Sequence, residues 1–356
     1  MADIQLSGVR KAFGGNVALN GLDLEVKDGE FFILLGQTGA GKTTTLRVIA
    51  GLEKPDTGQV FINGEDVAGL NAAERDVALV LQQYSLYPRL TVRGNLEFPL
   101  KAKIRKMGRD EIAKRVDEAA RILQITHLLD RKVERLSGGE MQRVSIGRAI
   151  VREPKVFLMD EPLSALDAKL REALRVELKH LHNRLGATFL FVTHDQVEAM
   201  SMGDKIGVLR NGKLVQVDTP NRIYTAPVNT FVARAVGTPP MNLLHGVAKG
   251  GKAKLSSGDA LPLPRELRTT DGDLVFGIRP ENLTIRAGAP TPAKVFDIED
   301  HGVNKILTLD ASGEKLHAIV SARTKVSLDE EVRFEWDPGK VIAFDRRTGR
   351  NLAYGE

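Results

Sequence analysis

The residues from Gly36 to Thr43 constrain the fold of this chain more than any other stretch. They fit the pattern G-x-x-x-x-G-K-[ST], in which a glycine-rich loop turns its backbone N–H groups inward around a polyphosphate. The apolar run Glu30–Leu35 predicts a buried strand before the loop, and Gly41–Ala50 predicts a helix whose positive end points at the phosphates. This context favours a true phosphate site over a chance match. It predicts that Lys42 contacts the β- and γ-phosphates and that the Thr43 hydroxyl binds Mg²⁺.

A second stretch ends in two adjacent carboxylates. The apolar run Val156–Met159 predicts a buried strand, and Asp160 and Glu161 follow it directly. Carboxylates are costly in an apolar setting unless they are paired or bind a metal ion. Asp160 is therefore a candidate to hold Mg²⁺ through water, and Glu161 is a candidate general base for an attacking water. A strand that simply ends at the surface gives the same pattern, but the phosphate loop upstream favours the catalytic interpretation.

A third stretch, Leu136–Arg143, reads Leu-Ser-Gly-Gly-Glu-Met-Gln-Arg. Ser137, Gly138 and Gly139 precede a helical pattern and predict a second helix start that is able to hold an anion. For three residues alone, an ordinary serine N-cap with glycines in the loop is the simpler interpretation. The position of the stretch, shortly before the strand that ends in Asp160, favours the anion site.

In their order along the chain, the phosphate loop, the stretch Leu136–Arg143 and the strand that ends in Asp160 resemble those of ABC transporter ATPases. The resemblance is closest to the maltose-type carbohydrate importers and covers essentially the whole chain. Leu136–Arg143 resembles the signature sequence of that family, and Gln82 falls where the family places its Q-loop glutamine. Ser164–Asp167 resembles the D-loop, and Thr193–Met200 resembles the switch-histidine segment. The resemblance implies an α/β P-loop NTPase domain, with ATP and Mg²⁺ as cofactors.

The resemblance also implies a role for each site residue. The catalytic residues are Glu161, His194 and Gln82, of which the last two sense the γ-phosphate. The ATP-binding residues are Phe13, as an aromatic that stacks on adenine, with Gly36, Gln37, Thr38, Gly39, Ala40, Gly41, Lys42, Thr43, Thr44, Ser137, Gly139 and Asp167. The residues implied for the metal ion are Thr43, Gln82 and Asp160.

The chain departs from the family pattern at three places. Glu140 replaces the commoner glutamine, Leu81 replaces a usual phenylalanine, and Gln37-Thr38 replaces a frequent Pro-Ser. None of these departures removes a phosphate or metal ligand, so the resemblance still implies an active ATPase.

The order of apolar runs predicts two domains, as a length of 356 residues allows. Residues 1–237 alternate short apolar runs with helical patterns, which predicts a largely parallel α/β domain. A helical insertion is expected at about residues 88–155. Within it, apolar residues at helical spacing between Gly108 and Asp130 predict an amphipathic helix.

Residues 238–356 are predicted to form a small all-β domain. Thr238-Pro239-Pro240 interrupts any helix, and short strand-like runs follow, with loops at Gly250-Gly251 and Ser256-Ser257-Gly258. These runs are Leu274–Ile278, Lys294–Ile298, Lys305–Leu309, Val332–Trp336 and Lys340–Phe344. Pro240–Asn242 and Gly277–Glu281 resemble the OB-like regulatory domain of the importer group.

The composition limits where the chain can reside. Its longest apolar stretches are strand-sized, whereas a spanning helix needs about 20 apolar residues. The N-terminus lacks the apolar core of a secretory signal peptide, and the chain has no cysteine for disulfides or thiolate metal sites. The net charge of +5 is spread among interspersed charges, which indicates a solvated mixed-charge surface. These features predict a cytoplasmic protein, and the resemblance implies a peripheral one at the cytoplasmic face of the bacterial inner membrane.

The resemblance implies how the ATPase is used. Ser137 and Gly139 are expected to act on the nucleotide of the other protomer in an isologous homodimer. The expected partners are two polytopic membrane permease subunits and, indirectly, a periplasmic or extracellular solute-binding protein. The expected function is uptake of a carbohydrate or a similar small polar solute.

The main alternative is a soluble, nucleic-acid-associated ABC ATPase. DNA-repair types carry a long coiled coil and ribosome types carry two cassettes, whereas this chain has no sustained heptad pattern and one P-loop. The aromatic residues of the second domain mostly sit at core-like alternating positions, so no nucleic-acid partner is expected. These residues are Phe276, Phe296, Phe334, Trp336 and Phe344. A small-molecule kinase is disfavoured by the signature and the switch histidine.

Overall fold

A computed structural model describes residues 2–82, 84–102, 107–255, 260–267 and 271–354. Gln83 and the loop predicted at Ser256-Ser257-Gly258 lie outside these residues. The chain divides into two compact units, residues 1–220 and 221–356. This division lies 17 residues before the boundary predicted at residue 238. The reason is that residues just before Thr238 pack within the second unit, where Ala233 joins a cluster with Met241, Val275 and Phe344.

The first unit contains two sheets and the helices that cover them. Its strands are β1 (Ile4–Phe13), β2 (Asn16–Val26), β3 (Phe31–Leu35), β4 (Thr57–Ile62), β5 (Glu65–Asp66), β6 (Val77–Val80), β7 (Val156–Asp160), β8 (Thr188–Thr193), β9 (Lys205–Arg210) and β10 (Lys213–Asp218). Its helices are α1 (Lys42–Ile49), α2 (Val92–Glu97), α3 (Arg109–Ile122), α4 (Gly138–Ile150), α5 (Ala168–Leu185) and α6 (Gln196–Met202).

The six-stranded sheet of this unit has the order β10-β9-β3-β8-β7-β6, and only β10 runs antiparallel to its neighbour. Every residue of β3, β7 and β8 is buried. Parallel strands covered on both faces have continuous apolar sequences, which is why the three runs could be recognised. The predicted α/β P-loop fold is confirmed. The other sheet, β2-β1-β4-β5, is antiparallel.

The region between β6 and β7 is helical, as predicted. It contains α2, α3, α4 and two short 3₁₀ turns, and α3 buries Ile112, Val116, Ala119 and Ala120 along one face. The predicted helix was expected to extend towards Asp130, but α3 ends at Ile122. The chain turns there because Gln124 has a φ of 54°, in the left-handed region that helices do not use.

The second unit contains two five-stranded antiparallel sheets and two short helices. One sheet has the order β13-β12-β11-β14-β20, and the other has the order β15-β19-β16-β17-β18. The strands are β11 (Asn242–Lys249), β12 (Lys252–Leu255), β13 (Ala260–Pro262), β14 (Gly272–Ile278), β15 (Leu283–Ile285), β16 (Thr291–Asp300), β17 (Asn304–Ala311), β18 (Glu314–Ser321), β19 (Glu331–Trp336) and β20 (Ile342–Asp345). The helices are α7 (Pro220–Thr225), which begins at the unit boundary, and α8 (Thr230–Ala235).

Four of the five aromatic residues predicted for the core of this unit are buried. Phe276, Phe334 and Trp336 lie in one apolar cluster, and Phe344 lies in a second. Phe296 is different, because 62% of its surface is exposed and Lys315 Nζ lies 3.3 Å from its ring centroid. Throughout the described ranges, no helix is long and apolar enough to cross a membrane.

Arg279 joins both helices of this unit to the strands. Its buried guanidinium donates hydrogen bonds to the carbonyl oxygens of Tyr224 (2.7 Å), Ala233 (3.1 Å) and Val236 (2.6 Å). The guanidinium carbon of Arg279 also lies 3.8 Å from the centroid of the Tyr224 ring. Burial lowers the pKa of Arg279, and burial with the hydrogen bond to Glu281 raises the pKa of Tyr224 to about 12.

We predict that Arg279→Met destabilises the second unit by about 3 kcal/mol, because buried carbonyls lose their charged donor. Urea unfolding followed by the fluorescence of Trp336, the only tryptophan, reports on this unit directly. The matched control is Arg286→Gln, which removes an exposed arginine paired with Glu335 and is expected to leave the transition unchanged. A parental transition for Arg279→Met would contradict the prediction.

Candidate nucleotide-binding site

The predicted catalytic segments leave the same edge of the six-stranded sheet. Leu35 of β3 pairs with Thr193 of β8, Asp160 of β7 pairs with Val192, and Val80 of β6 pairs with Met159. The loops after these strands carry the phosphate loop, His194, Glu161 and Gln82 in turn. The carboxyl edge of a parallel sheet is where ligands bind in such folds.

The phosphate loop needs its glycines for space as well as for conformation. Gly41 has a φ of 109°, and a Cβ on it would lie 2.5 Å from the Ala18 carbonyl oxygen. A Cβ on Gly36 would lie 2.8 Å from the Leu209 carbonyl oxygen. Gly41 is also the N-cap of α1, so no capping side chain stands between the first N–H groups of that helix and an anion.

Lys42 is folded back over the loop. Its Nζ donates hydrogen bonds to the carbonyl oxygens of Gly36 (2.8 Å) and Gln37 (3.1 Å), and lies 3.2 Å from Glu161 Oε1. Only 5% of Lys42 is exposed. The ammonium group is therefore held beside the backbone that would surround a phosphate.

Thr43 and Asp160 meet at the start of α1. The Thr43 hydroxyl donates a hydrogen bond of 3.1 Å to Asp160 Oδ1. Burial raises the pKa of Asp160, the Thr43 hydrogen bond opposes this, and the neighbouring charge of Glu161 adds to it. A bound cation would stabilise this buried carboxylate.

This hydroxyl and carboxylate fit Mg²⁺, which usually takes one or two carboxylates and completes its shell with phosphate oxygens and water. Within the described ranges, no group of three or more His, Cys, Asp and Glu side chains is arranged to hold a metal by itself. The donor set therefore suits a metal ion that arrives with a nucleotide better than one held by protein alone.

Glu161 bridges the loop to the switch segment. Its Oε1 faces Lys42, and its Oε2 lies 2.9 Å from Nδ1 of His194. Its backbone has a φ of 45°, which non-glycine residues rarely adopt, and is held by an N–H donated to the Val192 carbonyl. The structure thus brings together Lys42, Thr43, Asp160, Glu161 and His194.

Two residues that the sequence analysis did not single out adjoin this group. Glu198 is buried and accepts a hydrogen bond of 2.6 Å from Thr193 Oγ1, and burial raises its pKa. Arg171 donates to the Leu166 carbonyl and lies 3.6 Å from Asp195. Both line a cavity of about 60 Å³ beside Glu161 and His194. Arg171 lies on α5 and Glu198 on α6. No local sequence pattern points to either residue, because their positions beside the site depend on tertiary contacts.

Ser137, Gly139 and Asp167 form a second group. Ser137 Oγ accepts the N–H of Glu140, and the Glu140 carboxylate accepts the N–H of Ser137 at 2.7 Å, a reciprocal capping box at the start of α4. This backbone hydrogen bond is the main cause of the lowered pKa of Glu140. A Cβ on Gly139 would lie 3.3 Å from Leu166, next to Asp167, which caps α5.

The other predicted site residues lie around this edge. Phe13 ends β1 with 47% of its surface exposed and pairs with Asn16 of β2. β2 contributes the Ala18 carbonyl that packs on Gly41, so the β1–β2 hairpin lies beside the loop. Gln82 is exposed two residues after β6. Gln37, Thr38 and Gly39 are exposed, Ala40 is buried, and Thr44 is half-buried.

Family models match three parts of the chain. A model described as "ABC transporter" matches residues 19–164, one described as "MalK OB fold domain" matches residues 237–283, and a "TOBE domain" matches residues 276–344. These regions cover the phosphate loop, the signature and most of the second unit.

Full-length relatives share more than two fifths of their residues with this chain. The "Trehalose/maltose import ATP-binding protein MalK" of Thermococcus litoralis is 46% identical, over 99% of this chain and 100% of its own. The "sn-glycerol-3-phosphate import ATP-binding protein UgpC" of Ruegeria pomeroyi is 43% identical, with the same coverage. The "Sulfoquinovosyl glycerol transport ATP-binding protein SmoE" of Agrobacterium fabrum is 42% identical, again over 99% and 100%.

A solved structure has a similar fold. The ATP-binding cassette MJ0796, in a dimeric post-hydrolysis state bound to ADP and Pi, superposes with a TM-score of 0.57 and 34% identity. The match covers 61% of this chain and 98% of that one. The chain therefore belongs to the ABC transporter family, as an ATP-binding and ATP-hydrolysing subunit with an OB-fold and TOBE region after its ATPase domain.

Proposed function

We propose that this ATPase drives the import of a carbohydrate or a similar small polar solute, with the residues of the sheet edge in defined roles. The observation that carries the assignment of roles is the contact of Glu161 with both Lys42 and His194, next to the Thr43–Asp160 pair. Glu161 is the general base for water, and His194 orients it and senses the γ-phosphate. Gln82, on the neighbouring loop, senses the same phosphate.

Phosphoryl transfer to water needs charge neutralisation and an oriented nucleophile. The loop amides and Lys42 bind the β- and γ-phosphates, and the exposed ring of Phe13 offers a face for adenine. Thr43 and Asp160 would hold Mg²⁺ with Gln82, and the ion would supply positive charge for the phosphate oxygens. Residues 36–44 form the remaining nucleotide contacts.

We propose that two copies of the chain close on ATP. The similar cassette MJ0796 is dimeric in its ADP- and Pi-bound structure. In this chain, Ser137, Gly139 and Asp167 would serve the nucleotide of the other protomer. Residues 238–356 would regulate the dimer, because the site residues all lie in the first unit.

The names of the relatives support import over the nucleic-acid alternative. They describe import or transport of trehalose and maltose, sn-glycerol-3-phosphate and sulfoquinovosyl glycerol, which are small polar solutes. We accordingly propose two polytopic membrane subunits as direct partners and a solute-binding protein as an indirect one. The location would be the cytoplasmic face of the bacterial inner membrane.

We predict that the chain, tagged and expressed in its own cells, co-purifies with two polytopic membrane subunits that contact it around Gln82, Tyr84 and Tyr87. Tyr87→Glu should lose them, because it places a charge in an exposed aromatic contact. Phe296→Ala is the matched control, since it removes an exposed aromatic side chain of the second unit and should retain them. Recovery of ribosomes or DNA alone would favour the nucleic-acid alternative.

A further inference from the structure

The irregular segment Tyr84–Tyr87 closely approaches the start of the signature helix α4 and is hydrogen-bonded to its last turn. At the start of α4, a Cβ on Gly138 would lie 2.9 Å from the Tyr84 hydroxyl oxygen. In its last turn, Arg148 donates a hydrogen bond of 2.5 Å to the Ser85 carbonyl oxygen. Gly138 and Arg148 are ten residues apart, which is ~15 Å of helix.

Arg148 also supports the ring of Tyr87. Its guanidinium carbon lies 4.6 Å from the Tyr87 ring centroid, and the Phe98 ring also contacts Tyr87, at 4.2 Å between centroids. Arg148 is half-buried, and burial lowers its pKa. Among the residues that the structure describes, its Nε has no hydrogen-bond partner.

The backbone of the segment is hydrogen-bonded to side chains of two helices, Asn95 of α2 and Arg148 of α4. Tyr87 N–H donates to Asn95 Oδ1 at 2.8 Å, and the buried Asn95 donates back to the Tyr87 carbonyl at 3.1 Å. Ser85 has a φ of 46°, a costly backbone conformation for a non-glycine residue that surrounding contacts must maintain.

We infer that Arg148 is a positioning residue that makes the segment Tyr84–Tyr87 and the signature helix move together. The inference rests on the proposed function, in which this segment contacts the membrane subunits and Ser137 serves the nucleotide of the other protomer. Tyr87 and Phe98 are 36% and 49% exposed, so a partner can press on them directly. A displacement there passes through Arg148 into α4 and reaches Ser137, instead of being absorbed by a loose loop.

The test uses the full chain carrying Glu161→Gln, in which the ATP-bound dimer is expected to persist. Light scattering gives the Mg-ATP concentration at half-dimerisation, and a fluorescent ATP analogue gives the affinity of the monomer. Arg148→Gln should raise the dimerisation midpoint at least tenfold and change monomer affinity less than twofold. Arg148→Lys should restore the midpoint in part, because lysine keeps the charge but cannot both stack and donate as arginine does.

Arg115→Gln is the matched control. Arg115 lies on α3 and donates to the Val151 carbonyl just beyond α4, so its loss perturbs the same helices without touching the segment. The Mg-ATP concentration at half-dimerisation of the Arg115→Gln variant should stay within twofold of the parental value. An unchanged midpoint in Arg148→Gln, or an equal shift in Arg115→Gln, would overturn the inference. If Arg148→Gln does not fold, Tyr87→Leu removes the contacts of the Tyr87 ring with Arg148 and Phe98 and must raise the midpoint.

The two proposals fail in different ways. If the parent carrying Glu161→Gln stays monomeric, the sandwich proposal fails, and hydrogen exchange then decides the inference about Arg148. Arg148→Gln should speed exchange of the Met141 amide, which donates to the Ser137 carbonyl, more than exchange of amides in α3. Equal acceleration in both helices would show a general loss of stability and would refute the positioning role.

Discussion

Glu161→Gln is expected to slow ATP hydrolysis by ~10²–10⁴-fold while leaving ATP bound, since this is the usual cost of losing a general base. The amide keeps the shape of the side chain and its contacts with Lys42 and His194, but it cannot accept a proton from water. The change also removes a negative charge close to where the γ-phosphate would sit, which should tighten the closed state. Phosphate release under single-turnover conditions measures the effect on the chemical step.

The same variant separates binding from chemistry. Light scattering should show a monomer-to-dimer shift with Mg-ATP and little shift with ADP. Adding Ser137→Arg should abolish the dimer, because it places bulk where the phosphate of the partner must lie. The control is Glu172→Gln, an exposed glutamate of α5, which should hydrolyse ATP at the parental rate. Parental hydrolysis by Glu161→Gln would show that Glu161 is not the base.

Lys42→Ala is expected to abolish hydrolysis and to weaken ATP binding by about 10–150-fold. A hydrogen bond from a charged donor contributes ~1.5–3 kcal/mol, and each 1.4 kcal/mol is tenfold in affinity. The loss should be severe here, because Lys42 is the ammonium group that pairs with Glu161 and counteracts the burial that raises the pKa of Asp160 beside the phosphate loop. Titration with a fluorescent ATP analogue and a phosphate-release assay measure the two effects.

Lys179→Ala provides the control for this second variant. Lys179 pairs with Asp204 at 2.6 Å and is not among the residues of the phosphate loop. Its replacement should leave affinity and rate within twofold of the parent. Near-normal hydrolysis by Lys42→Ala would remove the basis for assigning residues 36–43 to the phosphates.

Local patterns predicted a parallel α/β domain followed by an all-β domain, and the family resemblance identified the site segments. β3, β7 and β8 are buried on both faces, so their apolar runs stand out, and the glycines of the phosphate loop are dictated by backbone space. The strand β19 was recognisable from the alternation of Val332, Phe334 and Trp336 with polar residues, because one face of this strand is buried in the core. The roles of the site residues stay predictions until the variants are measured.

What the sequence could not provide depends on contacts between distant residues. The attachment of Arg148 to the segment Tyr84–Tyr87 joins positions more than 60 residues apart, and arginine in a helix gives no sign of it. The burial of Arg279 and the packing of Ala233 beside Met241, which place the unit boundary before residue 238, are tertiary features too. The exposure of Phe296 escaped prediction because an aromatic residue in a strand is usually a core residue.

The pairing of β3 with β8 has a consequence for synthesis of the chain. Phe31 pairs with Phe189, so 158 residues must be translated before the central strand gains this neighbour. At 5–20 residues per second, that interval is roughly 8–30 s. During this time the run Phe31–Leu35 presents an apolar strand with open backbone groups, the kind of segment that aggregates. The nascent chain should therefore depend on chaperone protection, and slower elongation before residue 189 should lower the yield of folded protein.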